Sequence, residues 1–212
     1  MKQIYEDLWQ TKLENPFAGV QTHAYYLQCP EGNVLIYNTG HTEEINHIAG
    51  LGGIKYHYLS HRDEAGPSLE IIRQRLGSEL CCHENEKSAI SQLCEVDITF
   101  SENTRHFSNV DIICTPGHTN GSISFLYSSP FGRTFLFTGD TLFQSNGRWR
   151  TLVLSDAGGS SGSLIESLQT YRDLNPDVVL SSASATGERA FVETTESQWK
   201  EDIDNTIEQM RN

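Results

Sequence analysis

Four polar side chains lie in loops that follow short apolar runs, and their types could hold one metal ion. They are His61, Asp63, His118 and Asp140. Two imidazoles and two carboxylates can close around one divalent cation, and an aspartate two positions after a histidine can reach the same point from extended or loop backbone. Such an ion lowers the pKa of bound water from about 15.7 to about 7 and polarises a carbonyl. These residues therefore suggest metal-dependent hydrolysis, with Asp63 and Asp140 as candidate catalytic residues.

The elements that must position these residues follow a layered pattern. Short apolar, β-rich runs alternate with helix-like stretches, which is typical of α/β folds. One apolar stripe predicts a helix over residues 164–174 and another predicts a helix over residues 199–210, with Thr195 and Gln198 spaced as a capping box. The predicted strands cover residues 24–27, 34–37, 56–59, 111–114, 122–127, 134–137 and 178–180, and further helix candidates cover residues 67–76 and 84–93.

Four segments share one feature, which is an apolar strand that stops at a loop bearing metal-binding or polarising groups. In layered α/β folds, ligands collect at the ends of neighbouring strands, so such loops can converge although they are far apart in sequence. We therefore expect one site at these strand ends. The segments are VLIYNTG (34–40), YLSHRDEAG (58–66), IICTPGHTNGSISF (112–125) and TFLFTGDTLF (134–143).

These segments resemble the metallo-β-lactamase superfamily. TPGHTNGSISFLY is similar to the motif whose TPGHT supplies a metal-binding histidine, and FLFTGDTLF is similar to the later strand whose aspartate bridges two metals. VLIYNTG resembles an early strand and turn, with Asn38 in the place of an aspartate, and YLSHRDEAG stands where the HxHxDH signature is usual. The resemblance covers residues 20 to 182. It implies a four-layer αββα sandwich with mixed sheets and helices on the outer faces.

The resemblance also implies which metal position is retained. In the HxHxDH frame, His61 and Asp63 stand at the two histidines, whereas Ala65 and Gly66 replace the aspartate and the last histidine. The first metal of the superfamily uses the first two positions, the TPGHT histidine and usually the bridging aspartate, and all four hold possible ligands here. The second metal needs the replaced pair and a late histidine, but all eight histidines lie at or before His118. We expect the second position to be empty.

We interpret the chain as a mononuclear metal-dependent hydrolase that cleaves a small ester, thioester or lactone with metal-bound water. Zinc is the default ion, and iron or manganese is the alternative because an oxygen donor replaces one nitrogen donor. The missing signature aspartate, which positions that water in the superfamily, argues against efficient hydrolysis. A second hypothesis is therefore a catalytically inactive protein of the same fold that binds a ligand or a partner protein without an ion. A third is an iron protein active in oxygen or redox chemistry.

Composition limits the class of partner. The chain has 212 residues and a formal net charge of −13, which disfavours nucleic acid because binding its phosphates draws on lysine and arginine. There is no apolar run of 18 or more residues and no signal-like N-terminus, so we expect no membrane segment. Five cysteines without repeated CxxC spacing fit a reducing compartment, and we expect a cytoplasmic protein. With no dividing linker or internal repeat, residues 1–212 are expected to form one domain of undetermined oligomeric state.

Two further groups have alternative interpretations. Glu64 is either a surrogate ligand or a solvated carboxylate, and the ordinary exposure of glutamate favours the second. Cys81, Cys82 and His83 could bind a metal, but adjacent cysteines point apart and no second cluster completes four ligands. Buried cysteines beside a strand are therefore favoured.

One long stretch, residues 144–163, is predicted to be an irregular loop. It contains GRWR and DAGGSSGS and is rich in glycine and serine, and loops of this length are uncommon unless functional or mobile. Arg148, Trp149 and Arg150 within it could cover a pocket and hold an anionic substrate. Alternatively, the tryptophan packs on the domain edge with solvated arginines beside it.

Overall fold

The computed structural model describes residues 1–107 and 109–211. The helices are α1 (Thr42–Gly50), α2 (Ser68–Leu76), α3 (Glu84–Ile90), α4 (Ser161–Arg172) and α5 (Glu196–Arg211), and single 3-10 turns occur at Arg62–Glu64 and Ser155–Ala157. The strands are β1 (Lys2–Tyr5), β2 (Leu8–Gln10), β3 (Glu14–Phe17), β4 (Val20–Thr22), β5 (Tyr25–Leu27), β6 (Val34–Ile36), β7 (Tyr56–Tyr58), β8 (Glu79–His83), β9 (Ile98–Phe100), β10 (Thr104–Phe107), β11 (Val110–Cys114), β12 (Ile123–Ser128), β13 (Thr134–Gly139), β14 (Phe143–Ser145), β15 (Arg148–Arg150), β16 (Val178–Ser181), β17 (Ala183–Ala185) and β18 (Phe191–Glu193).

Two large mixed sheets form the centre of the structure. The first has seven strands in the order β1-β2-β5-β6-β7-β8-β9, and the second has six in the order β10-β11-β12-β13-β16-β18. Pairing is parallel from β6 through β9 and between β13 and β16, and antiparallel elsewhere in these sheets. Among the described residues, no helix is both long enough and apolar enough to cross a membrane.

Side chains alternate between the two faces of the second sheet and so define two layers. Phe135 and Phe137 of β13 belong to the apolar core shared with the first sheet. Leu136 between them belongs to a separate cluster with Leu168 of α4 and Trp199 of α5. Because successive strand residues point to opposite faces, α4 and α5 must cover the outer face of this sheet.

The first sheet is covered in the same way. Cys81 of β8 packs in the core between the sheets, whereas Cys82 packs with Leu69 of α2 and Ile90 of α3. The layers are therefore helix, sheet, sheet and helix, which confirms the predicted four-layer αββα sandwich. The opposite orientation of the two thiols also confirms that they are buried strand cysteines.

The predicted strands and helices are present with ends moved by up to three residues. The capping box at α5 is only half formed. Thr195 Oγ1 accepts a hydrogen bond from Gln198 N at 3.4 Å, but the Gln198 side chain donates to Asp202 instead of reaching back.

The prediction that residues 144–163 form one irregular loop is wrong. Strands β14 and β15 form a hairpin in which Ser145 pairs with Arg148. Its two-residue turn is Asn146–Gly147, with positive φ angles of 54° and 66°. Asn-Gly is the preferred dipeptide for such turns, because both positions must adopt left-handed backbone. Helix α4 then begins within the same stretch, capped by Ser160, whose side chain accepts from Ser163 N.

Candidate metal centre

His61 lies between β7 and the first 3-10 turn, on extended backbone with φ of −162°. Its side chain is 2% exposed. Ring atom Nδ1 lies 2.9 Å from Ser60 Oγ and 3.4 Å from Glu64 Oε1, whereas Nε2 lies 3.6 Å from Asp140 Oδ2. One ring nitrogen is therefore occupied by neighbours behind it, and the other faces Asp140.

The side chain of Glu64 is buried, so its favoured interpretation as a solvated carboxylate is wrong. Its side chain is 7% exposed and accepts hydrogen bonds from Ser60 N at 2.8 Å and Ser60 Oγ at 2.5 Å. Burial alone would lower the pKa of His61, but the charge of Glu64, followed by those of Asp140 and Asp63, raises it to about 9. A carboxylate behind an imidazole is the usual means of fixing a metal-binding histidine.

His118 lies in the loop between β11 and β12, and it is 1% exposed. Its Nδ1 lies 3.0 Å from the carbonyl oxygen of Leu152, which can only accept, so Nδ1 carries the proton. Burial, and then the charge of His61, lower the pKa of His118 and favour the neutral ring. Its Nε2 is a buried acceptor with no hydrogen-bond partner among residues 1–107 and 109–211, an arrangement that is unfavourable unless a ligand or ion binds there.

Asp140 directly follows β13 and comes close to His61 because of a glycine. Gly139 has φ of 56°, and a Cβ there would overlap Ser60 Oγ, so glycine allows the close approach. Asp140 Oδ1 accepts a hydrogen bond of 2.6 Å from Ser182 Oγ, and the other carboxylate oxygen, Oδ2, faces His61 Nε2.

The structure brings three of the four predicted ligands into one group. His61, Asp63 and His118 each offer a donor atom within 4.8 Å of the others, with both histidines buried and Asp63 exposed. Asp140 lies outside this group but beside His61. Two imidazoles with their Nδ1 atoms engaged, and nearby carboxylates, match the ligand chemistry of one divalent ion. The role of these four residues as ligands stays a prediction.

A buried carboxylate that the sequence did not reveal joins the two histidine-bearing loops. Glu86 of α3 is 0% exposed. It accepts hydrogen bonds from Arg62 N at 2.9 Å and Arg62 Nε at 2.6 Å on the His61 side, and from Thr119 Oγ1 at 2.8 Å on the His118 side. Burial opposes ionisation of Glu86, but the bonds from Arg62 and Thr119 outweigh it and lower its pKa. We call this arrangement of Arg62, Glu86 and Thr119 the loop clamp.

Asn38 lies beside Gly66, which is part of the predicted second metal position, and its side chain is bonded to its neighbours. Asn38 Nδ2 donates to the carbonyl oxygen of Glu64 at 3.0 Å, and its Oδ1 accepts from Ser68 Oγ at 3.0 Å. A Cβ on Gly66 would lie 3.5 Å from the same amide nitrogen. In the late loop that lacks histidine, Ser182 is bonded to Asp140.

A cavity of about 590 Å³ opens over the site and is lined by all four predicted ligands. The β3–β4 hairpin contributes Phe17 and Val20 to one wall. Leu152, whose backbone orients His118, lies on the wall as well. The volume lies within the range of pockets for small molecules.

The GRWR segment does not reach this cavity. Trp149 is 6% exposed, packs at right angles to Trp199, and donates from Nε1 to Asp202 at 3.2 Å. Arg150 donates to Gln209 at 2.9 Å. The interpretation of these residues as a pocket cover is therefore wrong, and the tryptophan packs on α5 at the domain edge.

Comparisons with known proteins agree with this fold. Residues 99–182 match the family model of the metallo-β-lactamase superfamily, whereas no curated protein matches the chain. A metallo-β-lactamase from Pontibacter korlensis is similar at a TM-score of 0.72 and 17% identity, over 100% of this chain and 98% of that one. A subclass B3 metallo-β-lactamase of Bradyrhizobium japonicum is similar at 0.65 and 16%, over 95% and 92%.

A protein of Cronobacter sakazakii described by a HARLDQ motif is also similar, at a TM-score of 0.61 and 15% identity, over 82% of this chain and 81% of that one. At these identities the structures establish the fold alone. Together with the family model that matches residues 99–182, they confirm the resemblance to the metallo-β-lactamase superfamily that the motifs predicted, and the HxHxDH signature of this chain is incomplete.

Proposed function

We propose that the protein is a hydrolase that uses one divalent ion, bound among His61, Asp63, His118 and Asp140, to cleave a small ester, thioester or lactone. The observation that carries the proposal is the buried, unpartnered Nε2 of His118. Its other nitrogen is held by the Leu152 carbonyl, so the free lone pair has a fixed direction. The three-residue group around it supplies the further donors.

Side chains around the predicted ligands would orient them and transfer a proton. Ser60 and Glu64 orient His61, and Ser182 orients Asp140. Asp63 is exposed and lines the cavity, so it can accept a proton from water and pass it to solvent. A divalent ion bound here would lower the pKa of a bound water molecule and would polarise the substrate carbonyl. Hydrolysis adds the water oxygen to the acyl carbon, breaks its bond to the leaving oxygen or sulfur, and releases an acid with an alcohol or thiol.

Zinc is the first ion to test, and manganese and iron are the next. Nitrogen and carboxylate donors accept all three, and the larger share of oxygen donors than in a three-histidine site suits manganese or iron. Loading the protein with each ion in turn and measuring hydrolysis of para-nitrophenyl butanoate identifies the productive ion.

His118→Ala tests the proposal against a matched histidine. We expect this variant to lose metal-dependent hydrolysis by at least about a hundredfold, because it removes the free ring nitrogen. His47→Ala is the control, since His47 is exposed on α1. Equal metal-dependent rates in His118→Ala and the native protein would overturn the proposal.

A second candidate function is a catalytically inactive protein that binds a ligand in the same cavity. The observation in its favour is the closed hydrogen bonding of Asn38, Glu64 and Ser68 at the second metal position. In a protein that had lost both metal positions, His118 Nε2 would be expected to gain a partner as well. Folded protein that binds no zinc, manganese or iron would favour this second candidate.

A further inference from the structure

We propose that the cavity selects an uncharged substrate with an apolar substituent and rejects substrates that carry a carboxylate or a phosphate. The inference rests on the proposed function and deepens it by naming the substrate class. It is carried by the charge of the cavity lining and by the apolar side chains at its rim.

The charged groups that line the cavity are acidic. Four carboxylates lie on it, and none of its described lining residues is a lysine or an arginine. They are Glu14, Asp63, Glu64 and Asp140. The remaining ionisable lining groups are the Tyr37 hydroxyl, whose pKa burial raises, and the imidazoles of His23, His61 and His118. Two of these imidazoles belong to predicted metal ligands and would be neutral when bound. One divalent ion at the predicted ligands would offset two of the four negative charges, so a negative group on a substrate would still face a net negative lining, which is unfavourable.

The cations nearest in sequence to the site are held elsewhere. Arg62 is next to His61, but its guanidinium bonds to Glu86 and Asn120. Arg150 bonds to Gln209 of α5, and Arg148 lines a separate groove beside Trp149. Arg148 and Arg150 therefore cannot bind an anionic substrate in the cavity, as the sequence had allowed.

The rim of the cavity presents apolar side chains to water. Phe17 on the β3–β4 hairpin is 67% exposed, and Leu152 is 47% exposed. Val20, Phe143 and Leu154 also line the cavity. Clustered exposed apolar groups beside a polar site mark surface that a ligand covers, because covering it removes apolar area from water. An apolar acyl or alcohol substituent fits this rim.

The net negative charge of the lining also limits which acyl carriers can bind. Thioesters of carriers that bear phosphate or carboxylate groups are excluded by the same repulsion.

Binding of three matched anilides tests the selectivity without any chemistry. The ligands are the anilide of hexanoic acid, the mono-anilide of adipic acid, which ends in a carboxylate, and the anilide of ω-aminohexanoic acid, which ends in an ammonium group. Calorimetry with native protein, with and without zinc, should give binding of the neutral and ammonium ligands and at least about tenfold weaker binding of the carboxylate ligand. The difference in affinity between the neutral and the carboxylate ligand should become smaller in high salt, because salt screens the charge of the lining.

Phe17→Ala tests the apolar rim with Phe131→Ala as its control. Phe131 is 60% exposed and lies outside the cavity lining, so its removal should leave every affinity unchanged. Phe17→Ala should weaken the neutral and ammonium anilides by about threefold to tenfold and keep their ratio to the carboxylate ligand. Equal affinity for the carboxylate and neutral anilides, or no binding of any of them, overturns the inference.

Ester hydrolysis separates this inference from the proposed function. The para-nitrophenyl ester of hexanoic acid should have a kcat/KM at least about tenfold above that of the mono-ester of adipic acid. Equal values would overturn the selectivity while the hydrolase proposal stands. Selective anilide binding without hydrolysis of either ester would overturn the hydrolase proposal while the selectivity stands.

Discussion

The regions around the two metal positions that the family resemblance predicts differ in how their polar atoms are hydrogen-bonded. At the first position, His61 and His118 each have Nδ1 engaged by a neighbour, and His118 Nε2 has no partner. At the second position, Asn38 uses its amide nitrogen and its amide oxygen in bonds to the surrounding loop. Ser182 is bonded to Asp140 in the loop without histidine.

This difference in hydrogen bonding is the one expected between a position that binds an ion and a position whose ion has been replaced by protein groups. Buried polar groups are stable only with partners, so loss of a metal without compensation leaves an unfavourable site. Asn38 and Ser182 supply that compensation at the second position. No described side chain does so for His118 Nε2, which is why we propose that a single ion binds at the first position.

Glu86→Gln should have the largest effect, because it breaks the loop clamp that supports the first position. Removing the charge leaves Arg62 without its buried carboxylate and weakens the bond from Thr119. We expect a loss of about 2–3 kcal/mol in the free energy of unfolding and at least about tenfold weaker zinc binding. Urea unfolding and competition with a chelator measure the two quantities. Glu196→Gln, in an exposed pair with Lys200, is the control and should change neither.

Acid should remove the difference between Glu86→Gln and the native protein. The pKa of Glu86 is lowered in the fold from its ordinary value of 4.5. Its ionised form therefore stabilises the native state above that pH, and this stabilisation is lost as the pH falls through the lowered pKa. The free energies of unfolding of the two proteins should converge at low pH. If the difference in free energy of unfolding between the two proteins stays constant from neutral to acid pH, the charge of Glu86 is not the stabilising feature.

Asn38→Asp should have a smaller effect and tests whether the second position can be restored. The new carboxylate cannot donate to the Glu64 carbonyl oxygen, so we expect a loss of about 1–2 kcal/mol and about tenfold weaker zinc binding. Asn33→Asp removes a similar bond, to the carbonyl oxygen of Gly53, and should lower stability without changing zinc affinity. A gain of a second zinc ion in Asn38→Asp would contradict the comparison.

Ser182→Ala should have the smallest effect. It removes the hydroxyl that orients Asp140 but leaves every predicted ligand in place, so we expect about threefold weaker zinc binding. Ser129→Ala is the matched control, because Ser129 makes the same kind of hydroxyl bond to the carboxylate of Asp7. An unchanged zinc affinity in Ser182→Ala would remove Asp140 from the set of predicted ligands.

The sequence predicted the fold and the loops that bring His61, Asp63 and His118 close together, because both depend on short local segments. The TPGHT and GDT segments are short loops at strand ends, and neighbouring strand ends meet in layered folds. The side chains of β13 alternate between two apolar clusters, and α4 and α5 each have one apolar stripe. Both patterns have a regular spacing that can be recognised in the sequence.

The supporting residues could not be found in this way. Glu86 bonds to Arg62 and Thr119, which are distant in sequence, and the charge of a residue does not reveal its partner. The average exposure of glutamate favours a solvated Glu64, but Ser60 supplies two donors that stabilise the buried carboxylate. The Asn146–Gly147 dipeptide favours a hairpin turn, but the glycine and serine content of residues 144–163 favours an irregular loop. The composition of the whole stretch is therefore a misleading signal here.

Metal content of the purified protein, after loading with zinc and removal of excess ion, tests the central claim most directly. One zinc ion per chain in the native protein, and less than about a tenth of that in His118→Ala, is the predicted result. Spectroscopy of the cobalt-substituted protein should show bound imidazole at the same stoichiometry. No bound ion would mean that the first position has been lost as well, and two bound ions would mean that the second position is intact.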